Sequence, residues 1–305
     1  MLKILNKRVL AHSAILGANI IYGLNYSIAK EVMPEFIAPF GFIFCRVSGA
    51  LLLFWMFSTF STHEKVNRKD LVRLAICGLF GVASNQLMFF YGLNLTTPIN
   101  AAIIMTCNPI LVLIISAAIL GERITPYKVG GIFLGICGAA GLILYKNQLS
   151  ISSDGVIGDL FIFLNATSYA IYLVLVKPLM KKYKAITVIK WVFLFGFFIV
   201  IPFGFEEFLN INWSSFSLGI WSAFTFVIIG TTFLAYLFNI YGLKELNPTV
   251  VSTYIYSQPL IATIVALMLQ KDELSWVKIV SAILIFIGVY LVSFKPKNLI
   301  PTAKK

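Results

Sequence analysis

Ten apolar stretches of about 20 residues follow one another along the chain, separated by short polar segments. An α-helix needs about 20 residues to cross a hydrocarbon core of about 30 Å, so each stretch predicts a transmembrane span. The spacing between them leaves no room for a separate extramembrane domain and predicts an all-α polytopic membrane protein. The ten predicted spans lie near residues 10–30, 37–58, 70–92, 98–120, 126–145, 156–177, 187–204, 217–241, 248–270 and 275–294.

Composition supports this interpretation. The 305 residues are 59% hydrophobic and 12% charged, whereas a soluble domain has roughly 25% charged residues. Such a chain has too few charges to cover a water-exposed surface, which argues against a soluble enzyme or a nucleic-acid-binding domain. The formal net charge of +12 would otherwise have suggested a polyanionic partner.

The basic residues are distributed unevenly between the two sides of the predicted membrane. If the N-terminus is cytoplasmic and the spans alternate, 19 of the 24 Lys and Arg residues fall on the cytoplasmic side. Short cytoplasmic loops of membrane proteins are rich in Lys and Arg. We therefore expect a multi-pass protein of the cytoplasmic membrane with both termini in the cytoplasm. The lipid bilayer explains the basic excess, and no nucleic-acid partner is expected.

The two halves of the chain resemble each other at a spacing of 150 positions. Tyr91-Gly92-Leu93 matches Tyr241-Gly242-Leu243, and Pro98 and Pro109 match Pro248 and Pro259. Each half has five predicted spans, and this odd number implies that the second half is inverted relative to the first. We expect one five-helix repeat at residues 1–148 and another at 149–305. Such inverted repeats are common in secondary transporters, although a membrane scaffold could also use a duplicated bundle.

Two prolines lie near the middle of the predicted spans. Thr97-Pro98 and Asn247-Pro248 are typical helix starts, and Pro109 and Pro259 follow 11 residues later. That distance is about 16 Å along a helix, so both prolines are predicted to interrupt helices near the bilayer centre. Interrupted spans at matched positions indicate a transporter binding site. Helix kinks that serve only packing are the alternative.

Polar residues at helical spacing extend this candidate site. In the sixth predicted span three polar residues share one helix face, and the eighth has a similar set. Polar side chains in a membrane normally face the bundle interior, where they bind a solute or hydrogen-bond neighbouring helices. The residues that we predict to bind the substrate are Asn25, Asn85, Asn108, Asn165, Tyr169, Tyr172, Tyr236, Tyr254 and Gln258.

Charged residues are nearly absent from the middle of the predicted spans. Arg46 is the one exception, and it is either a counter-charge for a substrate carboxylate or a structural anchor for the helix. Proton-coupled pumps commonly use buried carboxylates. No Asp or Glu lies in the middle of a predicted span, since Glu31 and Asp159 are near span ends, which argues against an antiporter of cationic drugs. A neutral or zwitterionic solute fits the Asn, Gln and Tyr residues best. We expect no cofactor, no metal site and no enzymatic activity, since the two histidines, His12 and His63, lie in no catalytic motif.

Several motifs resemble one transporter family. The run from Tyr91 to Gly138, YGLNLTTPINAAIIMTCNPILVLIISAAILGERITPYKVGGIFLGICG, resembles the signature of the drug/metabolite transporter superfamily, in particular its EamA-like branch. Ile21–Lys30 (IYGLNYSIAK) and Cys45–Leu53 (CRVSGALLL) are similar to its first two helices. The resemblance implies ten helices in two inverted repeats and export of small metabolites, amino acids or drugs.

The sequence as a whole predicts a secondary transporter of small neutral or zwitterionic metabolites that works by alternating access. A multidrug exporter of the same fold is the main alternative, and a channel or a membrane scaffold is a weaker one.

The fifth predicted span has a face of small residues suited to close packing, and the expected state is a monomer or a weak homodimer. That face consists of Gly130, Gly131, Gly135, Gly138 and Gly141.

Overall fold

A computed structural model describes residues 2–60, 64–120, 126–149, 153–246, 251, 254–270 and 272–293. Over these ranges the chain forms helices joined by short turns, without a β-strand. The α-helices in chain order are α1 (Leu2–Val32), α2 (Pro39–Thr59), α3 (Arg68–Gly78), α4 (Ser84–Leu95), α5 (Pro98–Met105), α6 (Asn108–Leu120), α7 (Pro126–Leu149), α8 (Ser153–Lys182), α9 (Ala185–Leu209), α10 (Leu218–Thr225), α11 (Ala235–Glu245), α12 (Ser257–Met268) and α13 (Trp276–Ser293).

Six helical stretches among the described residues are long and apolar enough to cross a membrane. They are Pro39–Thr59, Arg68–Leu95, Pro98–Ile119, Gly155–Lys182, Ala185–Leu209 and Leu218–Glu245. Two shorter apolar helices, Ser257–Met268 and Trp276–Gly288, follow them. The 31-residue helix α1 is not among the six, and it carries polar residues such as His12, Asn19 and Asn25 within its apolar sequence. The protein is thus a multi-pass membrane protein, and its described residues form helices and turns only.

Local sequence explains where several helices begin. Thr97 accepts a hydrogen bond from the backbone N–H of Asn100 at 3.3 Å, and Pro98 occupies the first turn of α5. Asn67 accepts from the backbone N–H of Lys69 at 3.2 Å at the start of α3. These caps satisfy N–H groups that have no partner within the helix. The matching predicted start at Asn247-Pro248 lies outside the described residues.

Two long stretches are not α-helical throughout. Residues Leu79–Ala83 between α3 and α4, and Phe226–Leu234 between α10 and α11, form π-helix. A π-helical turn contains an extra residue, so the side chains after it point in a different direction than the α-helical period predicts. Thr232 shows this geometry, since its hydroxyl donates to the carbonyl of Val227, five residues earlier, at 2.8 Å.

Candidate substrate cavity

A cavity lies between the helices and contains about 780 Å³ of empty space, including the space at its mouth. Most of the long helices contribute to its wall, so that residues distant in the sequence face one another. Its lining consists of Asn19, Tyr22, Asn25, Tyr26, Arg46, Asn85, Gln86, Phe89, Phe90, Met105, Asn165, Tyr169, Leu173, Thr231, Tyr236, Asn239, Val251, Ile255 and Gln258.

Six of the nine predicted substrate-binding residues line this cavity. Polar residues from five helical stretches are therefore brought together as the helical periodicity suggested. Because these residues are separated by up to 233 positions in the sequence, only the packing of the helices makes them neighbours. The six are Asn25, Asn85, Asn165, Tyr169, Tyr236 and Gln258.

The other three predicted residues lie elsewhere. The hydroxyl of Tyr254 is hydrogen-bonded to Nδ1 of His12 at 2.8 Å. Asn108 is fully buried and donates to the carbonyl of Ala166 at 2.9 Å. Tyr172 packs its ring against Gly81 in the first π-helical segment.

The position of Tyr172 has a geometric reason. On α8 the cavity is lined by Asn165, Tyr169 and Leu173, a row of residues four apart. Because 3.6 residues complete a turn, residues four apart are not fully aligned, and the row shifts gradually around the helix axis. Tyr172, seven residues after Asn165, lies at the edge of this row and faces Gly81 instead.

Several lining residues were not in the predicted set. Asn19, Gln86 and Asn239 are polar residues within predicted spans, so their residue type was a usable signal. Thr231 lies in the second π-helical segment, whose altered period is not visible in the sequence.

A network of hydrogen bonds connects helices across the cavity wall. Nε2 of Gln258 donates to Oδ1 of Asn19 at 2.7 Å, and the hydroxyl of Tyr26 donates to Oε1 of Gln258 at 3.0 Å. Gln258 thereby connects α12 to two positions on α1. Likewise, Nδ2 of Asn239 donates to the hydroxyl of Tyr22 at 3.0 Å. Part of the cavity's polarity therefore serves helix–helix contact, as the alternative interpretation expected.

Several other polar atoms in the wall are buried and have no hydrogen-bond partner among the residues that the structure describes. They are Oδ1 of Asn25, Nη1 of Arg46, Oδ1 of Asn165 and Oγ1 of Thr231. Buried polar groups are nearly always hydrogen-bonded, and leaving one without a partner costs about 1–3 kcal/mol. A cavity wall with several such atoms is suited to bind a polar solute.

The predicted helix interruptions lie next to this cavity. Helix α5 ends at Met105 and α6 begins at Asn108, so the α-helix is broken just before Pro109. In the second half a 3₁₀ turn, Tyr254–Tyr256, precedes α12 just before Pro259. Met105, Ile255 and Gln258 line the cavity. The two breaks thus contribute residues to its wall from opposite halves of the chain.

Comparison with known proteins identifies the family. The model of the EamA-like transporter family matches residues 9–144 and again residues 156–294. The chain belongs to the EamA-like transporter family. This membership makes it a membrane transporter of the drug/metabolite transporter type and points away from an enzyme.

Individual relatives agree with this assignment. The chain is 27% identical over 286 residues to a Bacillus subtilis protein named uncharacterized transporter YyaM, which covers 92% of both chains. It is 28% identical over 303 residues to WAT1-related protein At3g18200 of Arabidopsis thaliana, covering 88% of this chain and 75% of the relative. A crystal structure with 18% sequence identity superimposes with a TM-score of 0.64 over 94% of this chain and 96% of the other. That likeness supports the fold.

Proposed function

We propose that this protein is a secondary transporter that exports small neutral or zwitterionic metabolites, such as amino acids, across the cytoplasmic membrane by alternating access. The cavity carries this proposal. Its wall combines aromatic and apolar side chains with several unpartnered hydrogen-bonding atoms, the composition expected of a small-molecule site.

The charge of the wall defines the class of solute. Among the described residues that line the cavity, Arg46 is the one charged residue and no carboxylate is present. A cationic drug would meet no counter-charge there, and a multiply phosphorylated solute would meet a single one. A neutral or zwitterionic solute can instead use the amide and hydroxyl groups of the wall.

Many alternating-access transporters are built from two related halves, and several contacts support an inverted two-fold relationship between residues 1–148 and 149–305. A Cβ on Gly138 of α7 would lie 2.9 Å from the carbonyl oxygen of Ser281 on α13. A Cβ on Gly288 of α13 would lie 2.6 Å from the carbonyl oxygen of Gly131 on α7. Gly138 and Gly288 are 150 positions apart, and so are Gly131 and Ser281. The second contact is therefore the same contact with the two halves exchanged.

The same exchange recurs between other helices. Gly92 on α4 packs against Ile162 on α8, and its counterpart Gly242 on α11 packs against Ile15 on α1. A two-fold axis between the halves would generate such pairs. Two halves related in this way can rock about a shared central site, which is a common route to alternating access. We assign the ten predicted spans to two five-helix repeats on this basis.

The distribution of charge supports the proposed orientation. With both termini in the cytoplasm, 19 of the 24 basic residues lie on the cytoplasmic side. Part of the glycine face of the fifth span packs within the chain, since Gly138 faces α13. This intrachain use of the face supports a monomer or a weak homodimer.

Counterflow in proteoliposomes tests the proposal. Purified protein is reconstituted into liposomes loaded with unlabelled leucine or phenylalanine, and labelled amino acid is added outside at trace concentration. A carrier exchanges an unlabelled amino acid from inside for a labelled one from outside. The labelled amino acid therefore accumulates transiently inside the liposomes above its equilibrium concentration. Empty liposomes and liposomes loaded with methyl viologen, a permanent dication, are the controls.

Each outcome separates one alternative from the proposal. Accumulation driven by the amino acids supports a carrier of zwitterions. Equilibration of label without accumulation would indicate a channel instead. Movement of methyl viologen without movement of either amino acid would indicate a multidrug exporter and would refute the proposed substrate class.

A further inference from the structure

Arg46 is a buried positive charge in the cavity wall. Arg46 is 3% exposed. Its guanidinium group forms no ion pair within the described part of the chain. Removing a charge from water without pairing it is costly, and more so inside a membrane. Such a charge indicates a function that requires it.

Two contacts fix the position of the guanidinium group. Nε donates to Oγ1 of Thr232 at 2.9 Å, and the Thr232 hydroxyl itself donates to the carbonyl of Val227. The threonine oxygen is therefore oriented to accept from Arg46. The Cζ atom lies 4.1 Å from the ring centre of Phe90, so the guanidinium also stacks on an aromatic face.

These contacts leave Nη1 free. Nη1 is buried and has no hydrogen-bond partner within the described ranges of the chain, although Arg46 lines the cavity. If Arg46 only anchored the helix, its terminal nitrogens would bond to backbone carbonyls or reach the membrane surface. The guanidinium group is instead held at Nε by Thr232 and on its flat face by Phe90. Its Nη1 donor remains unused.

We infer that Arg46 binds a carboxylate group of the transported solute. This inference rests on the proposed function and narrows it from neutral or zwitterionic solutes to solutes that carry a carboxylate. The planar guanidinium matches a carboxylate in shape and gives strong charge-assisted hydrogen bonds. Oγ1 of Thr231, which is also buried and unpartnered, is a second donor on the same helical segment as Thr232.

The wall also offers acceptors suited to an ammonium group. Nδ2 of Asn165 donates to the carbonyl of Asn85 at 2.6 Å, which identifies the remaining amide atom of Asn165 as its oxygen. Neither that oxygen nor Oδ1 of Asn25 has a hydrogen-bond partner in the part of the chain that the structure describes. An α-amino acid could therefore use the donors at Arg46 and the acceptors at the two asparagines.

A series of matched ligands tests the inference on the unaltered protein. Leucine, leucinamide and 4-methylpentanoate share a side chain and differ in their charged groups. Binding to the purified protein is measured by isothermal titration and by the shift in its thermal midpoint. We expect leucine to bind about 10- to 100-fold more tightly than leucinamide, because leucinamide lacks the charge-assisted hydrogen bonds to Arg46. 4-Methylpentanoate should also bind.

Variants locate the effect at Arg46. Arg46→Met should abolish the preference for leucine over leucinamide, and Arg46→Lys should retain part of it because it keeps the charge without the planar fork. Lys190→Met is the matched control. Lys190 also stacks its cation on an aromatic ring, 4.9 Å from the ring centre of Trp55, but it does not line the cavity. This control should keep the preference of the unaltered protein.

The outcomes distinguish this inference from the function on which it rests. Equal binding of leucine and leucinamide to the unaltered protein, or an undiminished preference in folded Arg46→Met, would overturn the role of Arg46 and leave the proposed function standing. If all three ligands fail to bind and the amino acids give no counterflow, both the proposed function and the inference are refuted. The comparison on the unaltered protein decides the question even if Arg46→Met does not fold.

Discussion

The close contact between α4 and α8 gives a prediction whose magnitude follows from the structure. A Cβ on Gly92 would lie 2.8 Å from the carbonyl oxygen of Gly158, and a Cβ on Gly158 would lie 2.8 Å from the carbonyl oxygen of Gly92. Because these atoms belong to the backbone, no flexible side chain can move aside. Gly92→Ala should therefore force the two helices apart.

Gly130→Ala in α7 is the matched control. Apart from its chain neighbours and its own helix backbone, a Cβ on Gly130 would have no atom of the described residues within 4 Å. Both substitutions replace a helical glycine, so the gain of about 1 kcal/mol in helix propensity is common to both and cancels in their comparison. The remaining difference is the cost of overpacking at Gly92, about 1–3 kcal/mol.

Thermal denaturation of the detergent-solubilised protein measures this difference. At roughly 2 °C per kcal/mol for a chain of this size, Gly92→Ala should unfold about 2–6 °C below Gly130→Ala. Gly158→Ala should behave like Gly92→Ala, because it disturbs the same contact from the other helix. If Gly92→Ala unfolded at or above the temperature of Gly130→Ala, the backbones could not be in the contact described.

Two further substitutions contrast a fully buried carboxylate with a partly exposed one. Asp159 is fully buried and accepts hydrogen bonds from Thr96 and from Asn100, the latter at 3.2 Å, so Asp159→Asn should lower the free energy of unfolding by about 1.5–3 kcal/mol. Asp70 pairs with Lys182, with side chains 19% and 54% exposed respectively, and accepts from the Tyr183 hydroxyl at 2.6 Å. Asp70→Asn should therefore lower the thermal midpoint clearly less than Asp159→Asn does, because water screens such a pair. Thermal denaturation of the two variants side by side checks both expectations, and equal losses of stability would contradict them.

Much of the candidate site could be predicted because the membrane restricts where polar residues are tolerated. A polar side chain within an apolar stretch almost always faces the protein interior, so Asn25, Asn85 and Asn165 could be selected by residue type alone. The proline positions were informative for a related reason, since a proline removes a backbone donor wherever it occurs.

The remaining residues depended on contacts that no local pattern contains. Tyr254 is polar like the cavity residues, but its hydroxyl is hydrogen-bonded to His12, 242 positions away in the sequence. Thr231 faces the cavity from a π-helical segment, where the α-helical period no longer gives the direction of a side chain.

The sequence by itself determined that the chain is a helical membrane protein, which of its residues are polar within the spans, and to which family it belongs. These properties follow from composition, periodicity and motifs. Composition and periodicity are properties of local sequence, and motifs are compared with related sequences position by position. The tertiary structure decided which polar residues share one cavity and which only connect helices. It also decided the environment of Arg46, because that depends on Thr232 and Phe90, which only the packing of the helices brings to it.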